Sequence, residues 1–158
     1  HTVPNSYFNK EGFMVSNKPK TTDAESINKL SISYVNNVYK NGDMKISKAR
    51  LNNVQSIVNL CKKHNINLTV TLTPVASIQY KLIQKNKKLL NKMQELKVKL
   101  ATITPFYDAM IDNMYVQDVN NFEDNVHTNE KYAEMYLASI YKREYIELTK
   151  LKTSQNQN

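Results

Sequence analysis

Cysteine, glycine and histidine are scarce in this chain, and each scarcity narrows what it can do. The 158 residues hold one cysteine, Cys61, so no internal disulfide can form. That does not fix a compartment, since exported bacterial proteins often lack disulfides. Glycine occurs only at Gly12 and Gly42, and neither stands before a serine. Histidine occurs three times, at His1, His64 and His127. With a single cysteine, there is no Cys/His spacing of the kind zinc needs. No apolar run approaches the ~20 residues that cross a bilayer. The first residues, HTVPNSYFNKEGF, have neither a basic start nor an apolar stretch, so no signal peptide is read there. The His1 start itself reads as a mark of processing.

What is abundant is lysine and asparagine. The net charge is +8, the hydrophobic fraction is 41%, and the mean hydropathy is −0.59. The length suits one domain with a real core. The Lys/Asn richness reads as the mark of an A/T-rich genome. The charge itself favours anionic partners such as nucleic acid, acidic polymers or lipid headgroups. Because it is spread along the chain, a solvated basic surface is the simplest account of it.

Helical periodicity dominates. Thr22 and Glu25 in "TDAE" have the spacing of a capping box. Ile27, Leu30, Tyr34, Val35 and Val38 then recur at helical intervals, and Gly42 is a stop signal. A second helix is predicted from Ser47, with Leu51, Val54, Ile57, Val58 and Cys61 on its buried face. Cys61 is therefore expected as a buried thiol, and His64 as a surface or capping residue in the last turn. Residues 66–74, "INLTVTLTP", alternate apolar and polar, are rich in β-branched side chains and end at Pro74, which predicts a strand. A long helix over 77–97 and a second strand over 99–105 follow. A last helix starts at Thr128 or Asn129, with Tyr132, Met135, Tyr136, Ile140 and Tyr141 on one face.

This alternation predicts an α/β fold, helix-rich, around a small parallel sheet. Residues 1–150 read as a single α/β domain or the C-terminal part of one, and 151–158 as a disordered tail. Two strands are too few for an open sheet. Either weaker strands lie within 1–20 and 112–122, "NMYVQDV" at 113–119 among them, or the chain belongs to a larger unit.

The segment 121–137, "NFEDNVHTNEKYAEMYL", holds the candidate site. Asp124 stands three residues before His127, and a helix begins directly afterwards. An Asp at that spacing can fold back in a tight turn and accept from His Nδ1–H. The tautomer is then fixed and Nε2 is left to take a proton. Ligands of open α/β sheets sit beyond the carboxyl ends of the strands, where "TPVAS" and "TPFYD" fall. The plain structural alternative is that Asp124 caps a turn and His127 bonds a carbonyl. Glu123, Asp118 and Glu130 are the nearest further ligands for a metal, and no metal or other cofactor is expected. His1 could chelate copper in principle, but this helix-rich chain does not suit such a site.

"NFEDNVHTNEKYAEMYL" resembles the last block of the SGNH hydrolase superfamily, in which D-x-x-H opens the C-terminal helix. "NINLTVTLTPV" and "ITPFYDAM" resemble the same proteins, over roughly residues 45–142. The branch is the one that modifies cell-surface polymers, including alginate O-acetylation proteins and the D-alanyl–lipoteichoic acid protein. The resemblance implies a flavodoxin-like, three-layer SGNH fold, here incomplete, and a serine esterase or O-acyltransferase. Asp124 would be the orienting acid and His127 the general base. The family's first block, a Gly-Asp-Ser or Gly-Ser-Ser type motif after an apolar strand, is absent. Ser77 is the one serine placed to substitute for it, and its structural role would be a helix N-cap.

The implied partners are an anionic cell-envelope polymer or an acyl-donor protein, with a partner chain or an N-terminal segment supplying the nucleophile. The implied place is the extracellular face of a membrane or the periplasm, with the cytoplasm left open. The alternative is a non-catalytic basic helical module for a polyanion or a protein partner, built on Lys81, Lys85, Lys87, Lys88, Lys92, Lys97 and Lys99. Nucleic acid is the less favoured polyanion, because no recognised motif accompanies these lysines and the aromatics are not interleaved with them.

Overall fold

The computed structural model describes residues 6–8, 14–16, 23–142 and 149–151. His1 and Thr22 lie outside them, as does the predicted tail apart from Leu151. A short antiparallel hairpin, β1 (Ser6–Phe8) and β2 (Met14–Ser16), forms a sheet of its own. The stretch 1–20 thus does hold strands, but they do not extend the main sheet.

Helix α1 (Ala24–Asn37) starts one residue later than the capping box predicts. Asp23 is its cap, accepting from Ser26 N at 2.8 Å. Ile27, Ser31 and Val35, four residues apart, form its buried line, while Leu30 and Val38 face solvent. A 3-10 turn, Lys40–Gly42, then redirects the chain. Gly42 has φ +94°, and a Cβ there would sit 2.7 Å from Leu89 N and 2.8 Å from the Lys88 carbonyl carbon. Two backbones meet at this point, and only glycine leaves room.

Helix α2 (Lys48–Lys63) is capped by Ser47, whose Oγ accepts from Arg50 N at 3.3 Å. Its predicted apolar face is buried only at Val58. Ile57 and Leu60 are more than half exposed, and Cys61 is half-buried, not buried. The helix packs against the chain along one narrow stripe, mainly on α4. His64 closes it as an exposed C-cap residue.

The predicted strand 66–74 contracts to β3 (Thr71–Leu72), and Ile66 and Leu68 lie exposed. Alternation supplies only a face. A strand also needs a ladder partner, and β4 (Phe106–Asp108) is three residues long. The two run parallel, with Thr71 opposite Tyr107 and Leu72 opposite Asp108. Tyr107 N donates to Val70 O at 2.9 Å and Ala109 N to Leu72 O at 3.1 Å. Strand β5 (Thr149–Leu151) adds antiparallel to β4, giving the order β3-β4-β5.

The crossover between β3 and β4 is two helices, not one. α3 (Ser77–Lys85) and α4 (Lys87–Ile103) meet at Asn86, which is extended and caps α4 by accepting from Leu89 N at 3.0 Å. Helix α4 runs through the predicted strand 99–105. Leu89, Met93, Lys97 and Leu100 keep helical burial to its end. Pro105 disfavours the helical region for Thr104, which is extended at φ −159° and ψ 148°. The strand begins only after that proline. Residues 113–119 are likewise not a strand. Asn113 accepts from Tyr115 N and Val116 N and so caps α5 (Met114–Gln117). A 3-10 turn, Val119–Asn121, leads on to the loop before α6 (Glu130–Lys142).

The result is a helix-rich α/β arrangement around a small parallel pair. Its core falls into three clusters centred on Phe122 and Tyr132, on Ile83 and Leu89, and on Tyr136 and Ile140. Tyr132, Tyr136 and Ile140 confirm the buried side of α6, whereas Tyr141 is exposed. Lys97, expected on a basic helix face, is instead buried and paired with Asp108 at 2.5 Å. No helix among the described residues is long and apolar enough to cross a membrane.

Candidate active site

The loop between the 3-10 turn and α6 is closed at its neck. Phe122 and Thr128 form an antiparallel bridge, Glu123 N donates to His127 O at 2.8 Å, and Asn129 N donates to Asn121 O at 2.8 Å. Asn129 also caps α6 through its side chain, accepting from Tyr132 N at 2.8 Å. Phe122 is fully buried and anchors one arm in the core. Asn125 anchors the tip. Its carbonyl accepts from Ala76 N at 3.1 Å, and its Nδ2 donates to Gln79 Oε1 at 3.3 Å. The loop is thus tied to the start of α3, at the carboxyl end of β3.

Within this frame Asp124 and His127 meet. Asp124 Oδ1 accepts from Val126 N at 2.8 Å and from His127 N at 2.7 Å. The other oxygen, Oδ2, lies 2.7 Å from His127 Nδ1. The structural alternative of a turn cap therefore coexists with the ion-pair geometry, since one carboxylate does both. Partial burial pushes the Asp124 carboxyl up. The hydrogen bonds from the His127 ring and from the Val126 and His127 amides outweigh this and hold it below its usual range. The His127 side chain is 67% exposed, and Nε2 has no partner among the described residues.

His127 lines a cleft of about 630 Å³. Tyr34 and Tyr39 contribute from α1 and the turn after it, Thr71 and Thr73 from the end of β3, and Tyr136 from α6. The Tyr136 and Thr71 hydroxyls are in direct contact, so α6 is fastened to the strand end. Burial pushes the Tyr39 phenol up to about 12 and the Tyr136 phenol higher still.

Ser77 does not join this group. It is the first residue of α3 and is 5% exposed, and its Oγ donates to Asp112 Oδ1 at 3.0 Å. It is not the N-cap, a position that Ala76 fills without a side-chain bond. Asp118, Glu123 and Glu130 do not assemble with the pair. Among the described residues no three His, Cys, Asp or Glu side chains gather to hold a metal. The contacts that sequence reasoning missed are Ser77–Asp112, Tyr136–Thr71, Lys97–Asp108 and the Asn125–Gln79 brace. None has a fixed spacing that a sequence pattern could register.

Of the seven lysines in the basic row, four have carboxylate partners. Lys88 pairs with Asp43, Lys92 and Lys99 with Glu95, and Lys97 with Asp108. No family model matches the chain, and no curated protein and no solved structure matches it either.

Proposed function

We propose that the chain carries the acid–base half of an SGNH-like acyl-transfer site, acting as an esterase or O-acyltransferase on an acylated cell-envelope polymer. One observation carries the reading. A carboxylate fixed by two backbone amides holds His127 Nδ1 at 2.7 Å, at a cleft beyond the carboxyl end of a parallel strand. In the reaction, Nε2 would take the proton of an attacking hydroxyl, and Asp124 would stabilise the imidazolium that forms. The proton would then pass to the leaving alcohol. The hydroxyl comes from a serine on a partner chain or a further segment, or from Ser77, which would have to leave Asp112 and its buried place to reach the cleft. The three-layer SGNH arrangement and a site at the outer face of a membrane or in the periplasm belong to the same proposal. The basic-helix alternative has less to rest on, because four of its lysines are already paired.

The test combines fluorophosphonate labelling, read by intact mass, with aryl-acetate turnover, on the native chain and on His127→Ala. A single adduct or a turnover that vanishes in His127→Ala supports the reading, and Ser77→Ala then shows whether that serine is the labelled residue. Label or turnover on the native chain that survives in His127→Ala sinks it, and a folded native chain with neither removes Ser77 as the nucleophile.

A further inference from the structure

We infer that Gln79 is a positioning residue for the Asp124–His127 pair: its buried carboxamide links the tip of their loop to the Tyr39 wall of the cleft, and so fixes where the imidazole stands. Its purpose rests on the acyl-transfer reading above, while the linkage itself does not depend on the reaction.

Asp124 sets the internal geometry of the pair, since its oxygens hold the Val126 and His127 amides and the His127 ring. The turn 124–127 therefore moves as one piece. Its anchors decide where it stands. The neck, the Phe122–Thr128 bridge, joins the two arms of the loop, and a neck alone is a hinge. The tip is held at Asn125, by the bond from Ala76 N to its carbonyl at 3.1 Å and by its own Nδ2 on Gln79 Oε1 at 3.3 Å. Any residue at 125 could make the first bond, whereas the second needs both side chains.

The place of Gln79 in the core points the same way. It is fully buried, and Asn125 is 4% exposed. Ile83, one turn further along α3, packs in an apolar cluster with Val35, Leu89 and Met93. An apolar side chain at 79 would be buried there without penalty, but a carboxamide costs desolvation unless both its ends are bonded. The oxygen is bonded to Asn125. The nitrogen makes no bond of full hydrogen-bonding geometry among the described residues, yet it stands by the Tyr39 phenol. Burial and then the Tyr34 phenol push the Tyr39 phenol up, and the Gln79 amide draws it back as a hydrogen-bond donor does. Tyr39 lines the same cleft as His127. One side chain of α3 thus touches both the His127 loop and the wall that follows α1.

Hydrogen exchange and ring NMR on the full chain test this without any need for turnover. Gln79→Met nearly keeps the volume and removes both polar ends. Exchange of the Ala76 amide, which bonds the loop tip, is expected to quicken ~tenfold or more, while the Asn129 amide at the neck stays near native. Microsecond-to-millisecond relaxation dispersion is expected to appear at the His127 ring carbons, with the tautomer unchanged because Asp124 is untouched. Asn125→Ala breaks the same bond from the loop side and keeps the test open if Gln79→Met does not fold. It should match Gln79→Met, with the double variant no worse than either single one. Gln79→Glu, at about pH 5 where burial keeps the new carboxyl neutral, leaves an oxygen for Asn125 and should restore Ala76 protection. Tyr39→Phe should shift the His127 ring resonances in the native chain and leave them unmoved in Gln79→Met. Native-like Ala76 exchange or a quiet His127 ring in both Gln79→Met and Asn125→Ala overturns the inference. So does equal loosening at Ala76 and Asn129, which marks a general loss of stability. Additive effects in the double variant, no recovery in Gln79→Glu, or a Tyr39→Phe effect that is absent or that survives without Gln79 overturn it as well. The acyl-transfer reading is decided separately, by His127-dependent labelling and turnover.

Discussion

Asp124 grips His127 twice: Oδ1 accepts its backbone amide at 2.7 Å, and Oδ2 lies 2.7 Å from its ring Nδ1. The same residue thus shapes the turn and sets the proton on the ring. The two jobs separate in Asp124→Asn. The amide oxygen can still accept from the Val126 and His127 backbones, so the turn should persist. The amide nitrogen, a donor, would face Nδ1 and drive the ring proton to Nε2. Imidazole nitrogen NMR is expected to show the tautomer reversed, with turnover down on the order of 10³–10⁴-fold. An unchanged tautomer would refute the assigned bond.

His127→Ala isolates chemistry from folding. The side chain is 67% exposed, so its removal should cost less than about 1 kcal/mol in stability. Turnover and labelling should nevertheless vanish. Urea unfolding of the variant checks the first half, and a large loss of stability would show that the pair is a structural staple.

Gly42→Ala is expected to destabilise by about 2 kcal/mol or more. Its φ of +94° is unfavourable for any side chain, and the new methyl would press on the Lys88–Leu89 backbone at 2.7–2.8 Å. Thermal unfolding measures it. A neutral result would mean that the turn and α4 are not held together as described.

Lys97 and Asp108 form a buried pair, with side chains 9% and 7% exposed. Lys97→Met alone leaves a buried carboxylate unpaired and should cost about 3–5 kcal/mol. Lys97→Met with Asp108→Asn should recover much of that, because Asn can still accept from Met110 N as Asp108 does at 3.0 Å. Denaturant titration of the single and double variants decides it, and equal losses in both would rule out the charge argument.

Stability should fall as pH rises above about 10. Burial raises the Tyr39 and Tyr132 phenols from 10.0 to about 12, and raises Tyr136 further. Above pH 10 the unfolded chain releases these protons while the folded chain keeps them, so ionisation favours unfolding between the two values. On the acid side the sign reverses. The Asp124 carboxyl is held below its ordinary 3.8, so its contribution is present above that value and is lost as pH falls through the folded pKa. Unfolding followed from pH 3 to 12 should show both limbs, the acid one flattened in Asp124→Asn.

Much of the site was legible because it is local. Asp124, His127 and the α6 cap lie within six residues, so turn geometry alone brings them together. The cap of α2 at Ser47 and the buried line of Tyr132, Tyr136 and Ile140 were legible for the same reason: they repeat at short, fixed intervals. The strands were not. Ile66 and Leu68 alternate like strand residues, yet without a ladder partner they remain outside β3. Thr102 and Ile103 look β-prone, yet the burial of Leu100 carries α4 through Ile103.

The sequence by itself determined the helical periodicity, the break at Gly42 and the Asp-x-x-His turn, because each depends on neighbours a few residues away. Tertiary structure decided which strand residues pair, which lysine is buried against Asp108, and that Ser77 bonds Asp112. It also decided which side chains from α1, β3 and α6 line the cleft beside His127. These depend on segments up to about a hundred residues apart meeting in space, where burial and unpaired polar groups, not local propensity, set the energy.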